Sequence, residues 1–182
     1  TPYIAERWGR TYYSIDEQHM RRFLEGERVA YFSMEIGLQN DIPTYSGGLG
    51  VLAGDTIRSG SDLKIPMVGV TLVNRMGYFR QVVSETGEQL EYPDPWDPAE
   101  FMRELPDIVE VRIGERVVRV KTWVYDYQSP AGSLTPILFL DTDVEGNTDE
   151  DRQITSYLYG RDDIYRLKQA IVLGIGGVRM LD

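Results

Sequence analysis

The run Tyr45-Ser46-Gly47-Gly48-Leu49-Gly50-Val51-Leu52-Ala53-Gly54-Asp55 places three glycines within four residues at the head of an amphipathic stretch. Glycine has no Cβ, so the backbone there can turn tightly and let a ligand come close. A helix beginning at such a run points unpaired N–H groups, and the positive end of its dipole, at whatever sits in front of it. That chemistry suits an anion: a phosphate or a phosphorylated sugar. The bland alternative, a tight turn that merely starts a helix, stays open on these residues alone. Two carboxylates stand nearby in sequence, Glu35 and Asp55, and either can hold the loop by accepting backbone N–H bonds.

Other chemistry-bearing residues are sparse. There is no cysteine, hence no thiolate nucleophile, disulfide or thiolate metal site, and no metal site is expected. His19 is the single histidine and has no nucleophile or ligand beside it, so a structural or exposed role is expected. The three lysines, Lys64, Lys121 and Lys168, do not neighbour the glycine run. Trp96 and Tyr92, set among prolines, can cover a sugar face, although anchoring their loop is the commoner use of such residues. Leu173-Gly174-Ile175-Gly176-Gly177 looks like a dinucleotide fingerprint, but it follows a helical pattern instead of a strand and lacks a downstream acid.

The elements that must position the glycine run are legible from periodicity. Helical spacing through Ile15, Met20, Phe23 and Leu24 predicts an early helix. Val29 to Ser33 reads as a buried strand leading into Glu35, Leu49 to Leu63 as a helix, and Met67 to Val73 as a second strand. Together they form a β–loop–α–β unit of the right-handed kind. Gly77 to Val83 reads as a strand. Three prolines within residues 93–98 make a loop. Val109–Ile113 and Val117–Tyr125 alternate around Gly114-Glu115 as a hairpin does. Ile137–Asp141 is a third buried strand, Asp141–Asp151 an acidic loop, and Asp162–Leu173 a helix. The glycines after Leu173 then read as the approach to another element.

With 182 residues, 42% hydrophobic and 26% charged, the chain is an ordinary soluble α/β composition. A net charge of −10 excludes a basic nucleic-acid-binding surface, and neither a membrane span nor a signal peptide is apparent. A cytoplasmic protein is expected. Val178, Met180 and Leu181 lack an evident partner, so the chain reads as a piece of something longer.

Taken in order, several segments resemble the α-glucan (glycogen and maltodextrin) phosphorylases, above all their short bacterial and archaeal type. They are Ala30-Tyr31-Phe32-Ser33-Met34-Glu35-Ile36-Gly37-Leu38, the glycine run, Ser61 to Val70 and Arg75 to Gln81. Pro95-Trp96-Asp97, Leu158-Tyr159-Gly160, Arg166-Leu167-Lys168-Gln169 and Leu173 to Arg179 complete the series. The resemblance covers about residues 28–181. It implies that residues 1–182 form an incomplete N-terminal Rossmann-like domain of a GT-B glycosyltransferase, its active site in a cleft against a second, C-terminal cofactor domain absent here. It also implies phosphorolysis of terminal α-1,4-linked glucose to glucose 1-phosphate, inorganic phosphate and α-1,4-glucan as partners, and a homo-oligomeric parent. Pyridoxal 5′-phosphate is the implied cofactor, its attachment lysine outside this chain.

On that resemblance Gly47, Gly48 and Leu49 bind phosphate and sugar, while Glu35, Gly50 and Asp55 support them. No acid or base is assignable within the chain, which alone is expected to be inactive. Animal-type members carry Asn at Ser46, Arg at Val51 and Tyr at Gly37, and a Glu where Ala170 stands. Two alternatives remain: a glycogen or starch synthase-like enzyme, which would place a lysine shortly before the glycines where Pro43-Thr44-Tyr45-Ser46 has none, and a non-catalytic glucan-binding module.

Overall fold

The computed structural model describes residues 28–160 and 162–182. The early helix expected around Ile15, and His19, lie outside them. In chain order the strands are β1 (Val29–Phe32), β2 (Met67–Leu72), β3 (Arg80–Val83), β4 (Gln89–Tyr92), β5 (Arg103–Ile113), β6 (Arg116–Gln128) and β7 (Leu134–Asp141). The helices are α1 (Gly48–Asp62), α2 (Asp149–Arg152), α3 (Asp163–Ile171) and α4 (Gly177–Leu181).

Five strands form one mixed sheet in the order β1-β2-β7-β6-β5. β1, β2 and β7 run parallel, with Val29 opposite Met67 and Gly69 opposite Ile137. β6 runs antiparallel to both β7 and β5. The architecture is therefore α/β with a mixed sheet, compatible with a Rossmann-like fold. β3 and β4 make a separate antiparallel ribbon.

Ile137-Leu138-Phe139-Leu140 is apolar throughout because this part of the sheet is covered on both faces. Ile137 and Phe139 join Ile36, Ile42, Ala53, Ile57 and Trp123 in one core. Leu138 and Leu140 turn the other way, to Val70, Leu72, Val111, Val120, Val172 and Leu173. Alternation along one strand thus divides the interior into an α1 side and an α3–α4 side.

Several expectations are corrected. The strand expected from Gly77 begins only at Arg80, because Gly77 sits at φ +61° in a turn closed by its own N–H to the Asn74 carbonyl, 2.8 Å. The hairpin arms run longer, back to Arg103 and on to Gln128. The acidic loop contains the short helix α2, whose start is capped by the Thr148 hydroxyl accepting the Asp151 N–H at 3.2 Å. The glycines after Leu173 do not leave the helix: α3 passes through a π-helical turn, Val172–Gly176, directly into α4. Gly176 and Gly177 serve close packing, while a Cβ on Gly174 would meet nothing within 4 Å. A Cβ on Gly177 would stand 2.6 Å from the Phe32 ring.

Candidate functional site

Open α/β sheets present their ligand crevice at the carboxyl ends of parallel strands. Glu35 follows β1 there, Arg75 follows β2 and Asp141 ends β7. The glycine run lies beside Glu35. Gly47 is the N-cap of α1 and offers no side-chain cap, and no acidic residue occupies the first helical turn. The first N–H groups of the helix, from Gly48 onward, therefore have no partner one turn back and no carboxylate over them. Ser46 through Leu49 are exposed, Leu49 by 68%.

The four glycines differ in what they serve. A Cβ on Gly50 would lie 2.4 Å from Tyr45 Cβ and 2.9 Å from Glu35 Oε2, and one on Gly54 would lie 2.1 Å from the Gly37 carbonyl oxygen. These two are glycine because α1 presses on the preceding loop. A Cβ on Gly47 or Gly48 would meet nothing within 4 Å, and Gly47 has φ −166°, extended backbone open to any residue. Neither packing nor conformation within the described residues asks for glycine at 47 and 48.

Glu35 is 2% exposed and sits directly behind the run. Its Oε2 accepts the Ser46 N–H at 2.7 Å and the Ser46 hydroxyl at 3.3 Å, and its Oε1 accepts the Tyr159 hydroxyl at 3.1 Å. The loop is braced further by the Gly37 N–H donating to the Gly50 carbonyl at 2.8 Å and by the Thr44 hydroxyl donating to the Ile36 carbonyl at 3.0 Å.

Asp55 lies on the outer side of α1 and makes no bond to the loop backbone. Its Oδ1 accepts Arg58 Nη1 at 3.1 Å, and Arg58 Nη2 donates to the Gly37 and Leu38 carbonyls at 3.0 and 2.6 Å. Its tie to the loop runs through a cation. Arg58 and Tyr159 escape sequence reasoning because their loop partners are 21 and 124 positions away.

Trp96 anchors its loop: Nε1 donates to the Asn74 carbonyl at 3.0 Å and the ring packs on Phe101 and Phe139. Tyr92 is exposed, with the Arg80 guanidinium 5.9 Å from its ring centre.

None of the three lysines stands at the glycine loop. Lys64 follows the C-terminal end of α1. Lys121 bonds Glu104 at 3.2 Å beside the Trp123 ring, and Lys168 bonds Glu150 at 2.5 Å. The residues present thus do not fit an imine-bound pyridoxal phosphate. Among the described residues no cluster of metal-ligating side chains occurs.

Tyr159 is pushed up to about 12, first by burial and then by the negative charge and hydrogen bond of Glu35, with Arg166 opposing. A phenol whose value is raised on folding contributes stability that is fully present below the unfolded value, about 10, and is lost as pH rises through the folded one. Alkaline melts between pH 10 and 12 are therefore expected to fall more steeply for the parent chain than for Tyr159→Phe. Identical slopes would show that folding does not raise the Tyr159 phenol.

No family model matches the chain. Glycogen phosphorylase of Mycobacterium tuberculosis is 42% identical over 161 residues, covering 84% of this chain and 18% of that protein. Maltodextrin phosphorylase of Thermococcus litoralis is 39% identical over 162 residues, 85% and 19%. Glycogen phosphorylase of Aquifex aeolicus is 34% identical over 182 residues, 93% and 26%. The chain spans about a fifth to a quarter of the length of these curated relatives. It is homologous, over most of its length, to a segment of the glycogen and maltodextrin phosphorylases.

Proposed function

We propose that this chain is part of the N-terminal, Rossmann-like domain of a GT-B α-glucan phosphorylase, and that Gly47, Gly48 and Leu49 form the backbone half of its phosphate and sugar site. The observation that carries the reading is the vacancy around Gly47 and Gly48. Two adjacent glycines that no contact among the described residues requires stand on an uncapped helix start, in a chain homologous to enzymes named phosphorylases. What asks for glycine there is a ligand brought against the backbone. Exposed Leu49 and Leu52, 68% and 61%, fit the wall of a cleft whose other side a second domain provides.

In the proposed reaction the bond from glucose C1 to the O4 of the next residue breaks. A phosphate oxygen bonds to C1, and a proton passes to the departing O4. Outward N–H groups of Gly48 and Leu49 stabilise negative charge on the phosphate as it closes on the sugar. Glu35 keeps those groups aimed, and Arg58 fixes α1 to the loop at Gly37 and Leu38. Pyridoxal 5′-phosphate, which the family resemblance implies, would be held through a lysine outside these 182 residues. It would supply an acidic phosphate group for proton transfer. We place the protein in the cytoplasm. Among the described residues no helix is long and apolar enough to cross a membrane.

The test is to express the whole protein that carries this segment with pyridoxal phosphate and assay phosphate-dependent release of glucose 1-phosphate from maltodextrin. Release is expected. None above a cofactor-free control, or turnover with ADP-glucose instead, overturns the reading. The 182-residue chain alone is expected to release none, as it offers one wall of the cleft. Gly48→Ala in the whole protein is expected to lower the rate about a hundredfold, the scale of a misplacement of about 1 Å, because the added methyl holds the phosphate and sugar off the backbone N–H groups. Its melting temperature should stay within about 2 °C, because the added methyl meets no atom of the described residues within 4 Å. A stable variant with unchanged rate would remove Gly48 from the site.

A further inference from the structure

Tyr159 has φ +53°, in the left-handed region that a bulky aromatic residue rarely enters. Such a backbone is strained and persists only where the surroundings impose it. They do so here. The Leu158 N–H donates to the Gly77 carbonyl at 3.1 Å, and the Met76 N–H donates to the Ser156 carbonyl at 2.8 Å. From the other side, buried Gln169 donates through Nε2 to the Ile154 and Tyr157 carbonyls at 3.0 and 2.8 Å. The Tyr165 hydroxyl takes the Tyr157 N–H at 3.2 Å. Tyr159 is thus delivered by a segment clasped between the β2–β3 turn and α3, and what its strained backbone achieves is to bring a hydroxyl to Glu35.

The two oxygens of Glu35 divide the work. Oε2 holds Ser46, the residue immediately before the Gly47 N-cap, by its N–H and hydroxyl. Oε1 has Tyr159 as its hydrogen-bond partner among the described residues. Without that hydroxyl a carboxyl group 2% exposed keeps a desolvated oxygen unmatched, and rotation about its side chain becomes the way to share Ser46 between both oxygens. The Ser46 N–H then loses its fixed acceptor, and the peptide planes that follow lose their aim.

We propose that Tyr159 is a positioning residue for the glycine loop, acting on Ser46 through the buried carboxylate of Glu35. Its consequence for catalysis rests on the phosphorylase reading above; its effect on the loop does not. The two are therefore tested separately.

The experiment uses the ¹⁵N-labelled 182-residue chain and Tyr159→Phe, which removes one oxygen. Amide hydrogen exchange at Ser46 is expected to quicken about tenfold, the scale of one lost hydrogen bond between partly buried groups. The Gly47, Gly48 and Leu49 amide resonances are expected to move, while exchange at Phe139 and Leu140 in β7 stays unchanged. A general loss of stability would speed β7 as well. Glu35→Gln is expected to speed Ser46 too, and adding Tyr159→Phe to it to do little more, because both act on one contact. Unchanged Ser46 exchange in Tyr159→Phe, or a rise shared equally by β7, overturns the proposal. That single variant decides alone if Glu35→Gln does not fold.

Inorganic phosphate is then titrated into both chains. If the wild-type glycine amides respond, Tyr159→Phe is expected to weaken the Kd about threefold, the cost of ordering a loosened loop; an unchanged Kd overturns the role. If they do not respond while Ser46 has loosened in the variant, the positioning role stands and the phosphate-loop reading is the one that fails.

Discussion

Gly54→Ala is expected to lower the melting temperature of this chain by about 6–12 °C, from an overpacking loss of about 3 kcal/mol in a domain of this size. Two effects oppose each other. Alanine is the better helix former, by about 1 kcal/mol at an exposed interior position. Against that, its Cβ would lie 2.1 Å from the Gly37 carbonyl oxygen and 2.9 Å from Arg58 Nη1. The arginine tip can swing away, but the carbonyl cannot. Its residue donates to the Gly50 carbonyl at 2.8 Å, and the carbonyl itself accepts Arg58 Nη2 at 3.0 Å. Relief requires α1 to move off the loop by about an ångström, which breaks these bonds and tilts the helix start that carries Gly47 and Gly48. The steric term wins, and the same displacement disturbs the site. Thermal melts of Gly54→Ala beside Gly48→Ala separate the two kinds of glycine: a large drop in the first and almost none in the second. Equal melting temperatures would mean that the helix–loop contact is looser than described.

That separation was only half legible in the sequence. The glycine cluster and the helix behind it announce themselves, because φ freedom and apolar spacing are local properties. Which glycine faces solvent and which faces Gly37 depends on where residues 35–45 fold back, and no local pattern carries that. The strands Met67–Leu72 and Leu134–Asp141 were readable for the same local reason, apolar runs covered on two faces over Gly69–Leu72 and Ile137–Leu140. By contrast β1, read as buried from its apolar run, is an edge strand with Ala30 exposed and its other residues half-buried. Arg103–Asp107 extends β5 with mostly exposed polar residues and a proline, so its strand character comes from the pairing of Arg103 and Glu104 with Val124 and Trp123 of β6, across an irregularity before Ile108, not from its own composition. The glycines after Leu173 read as the approach to another element, and that the helix continues through them into α4 was not legible, because Gly176 and Gly177 pack on the Val111 side chain and the Phe32 ring, partners far away in sequence. Glu35 was identifiable as a carboxylate placed just after a strand. Tyr159, its partner 124 positions on, was visible only as part of a family motif.

Asp141→Ala is expected to cost about 3–5 kcal/mol in urea denaturation, the range for removing one member of a buried charged network. Asp141 is fully buried at the end of β7. Its Oδ2 accepts Trp123 Nε1 at 2.9 Å and a short bond from Arg75, and its Oδ1 accepts the Asp143 N–H at 2.9 Å. Lys121 Nζ lies 3.9 Å away, so two cations flank the carboxylate over the Trp123 ring. Were this chiefly an ion pair, removing the arginine as well would restore most of the loss, since a vanished pair costs little. But Trp123 N–H and Asp143 N–H would still be stranded, each at about 1–3 kcal/mol. Adding Arg75→Met to Asp141→Ala is therefore expected to recover less than half of the loss, and a full recovery would show that the two N–H groups find other acceptors. The effect should also reach the candidate site. From Asp141 the chain runs through Thr142, whose N–H donates to the Thr155 hydroxyl at 3.0 Å, to the clasped segment that ends in Tyr159. Below the unfolding transition, Asp141→Ala should quicken exchange at Ser46 by way of Tyr159 and Glu35, more than 15 residues from the substitution on either side in sequence, and Tyr159→Phe should abolish that added sensitivity.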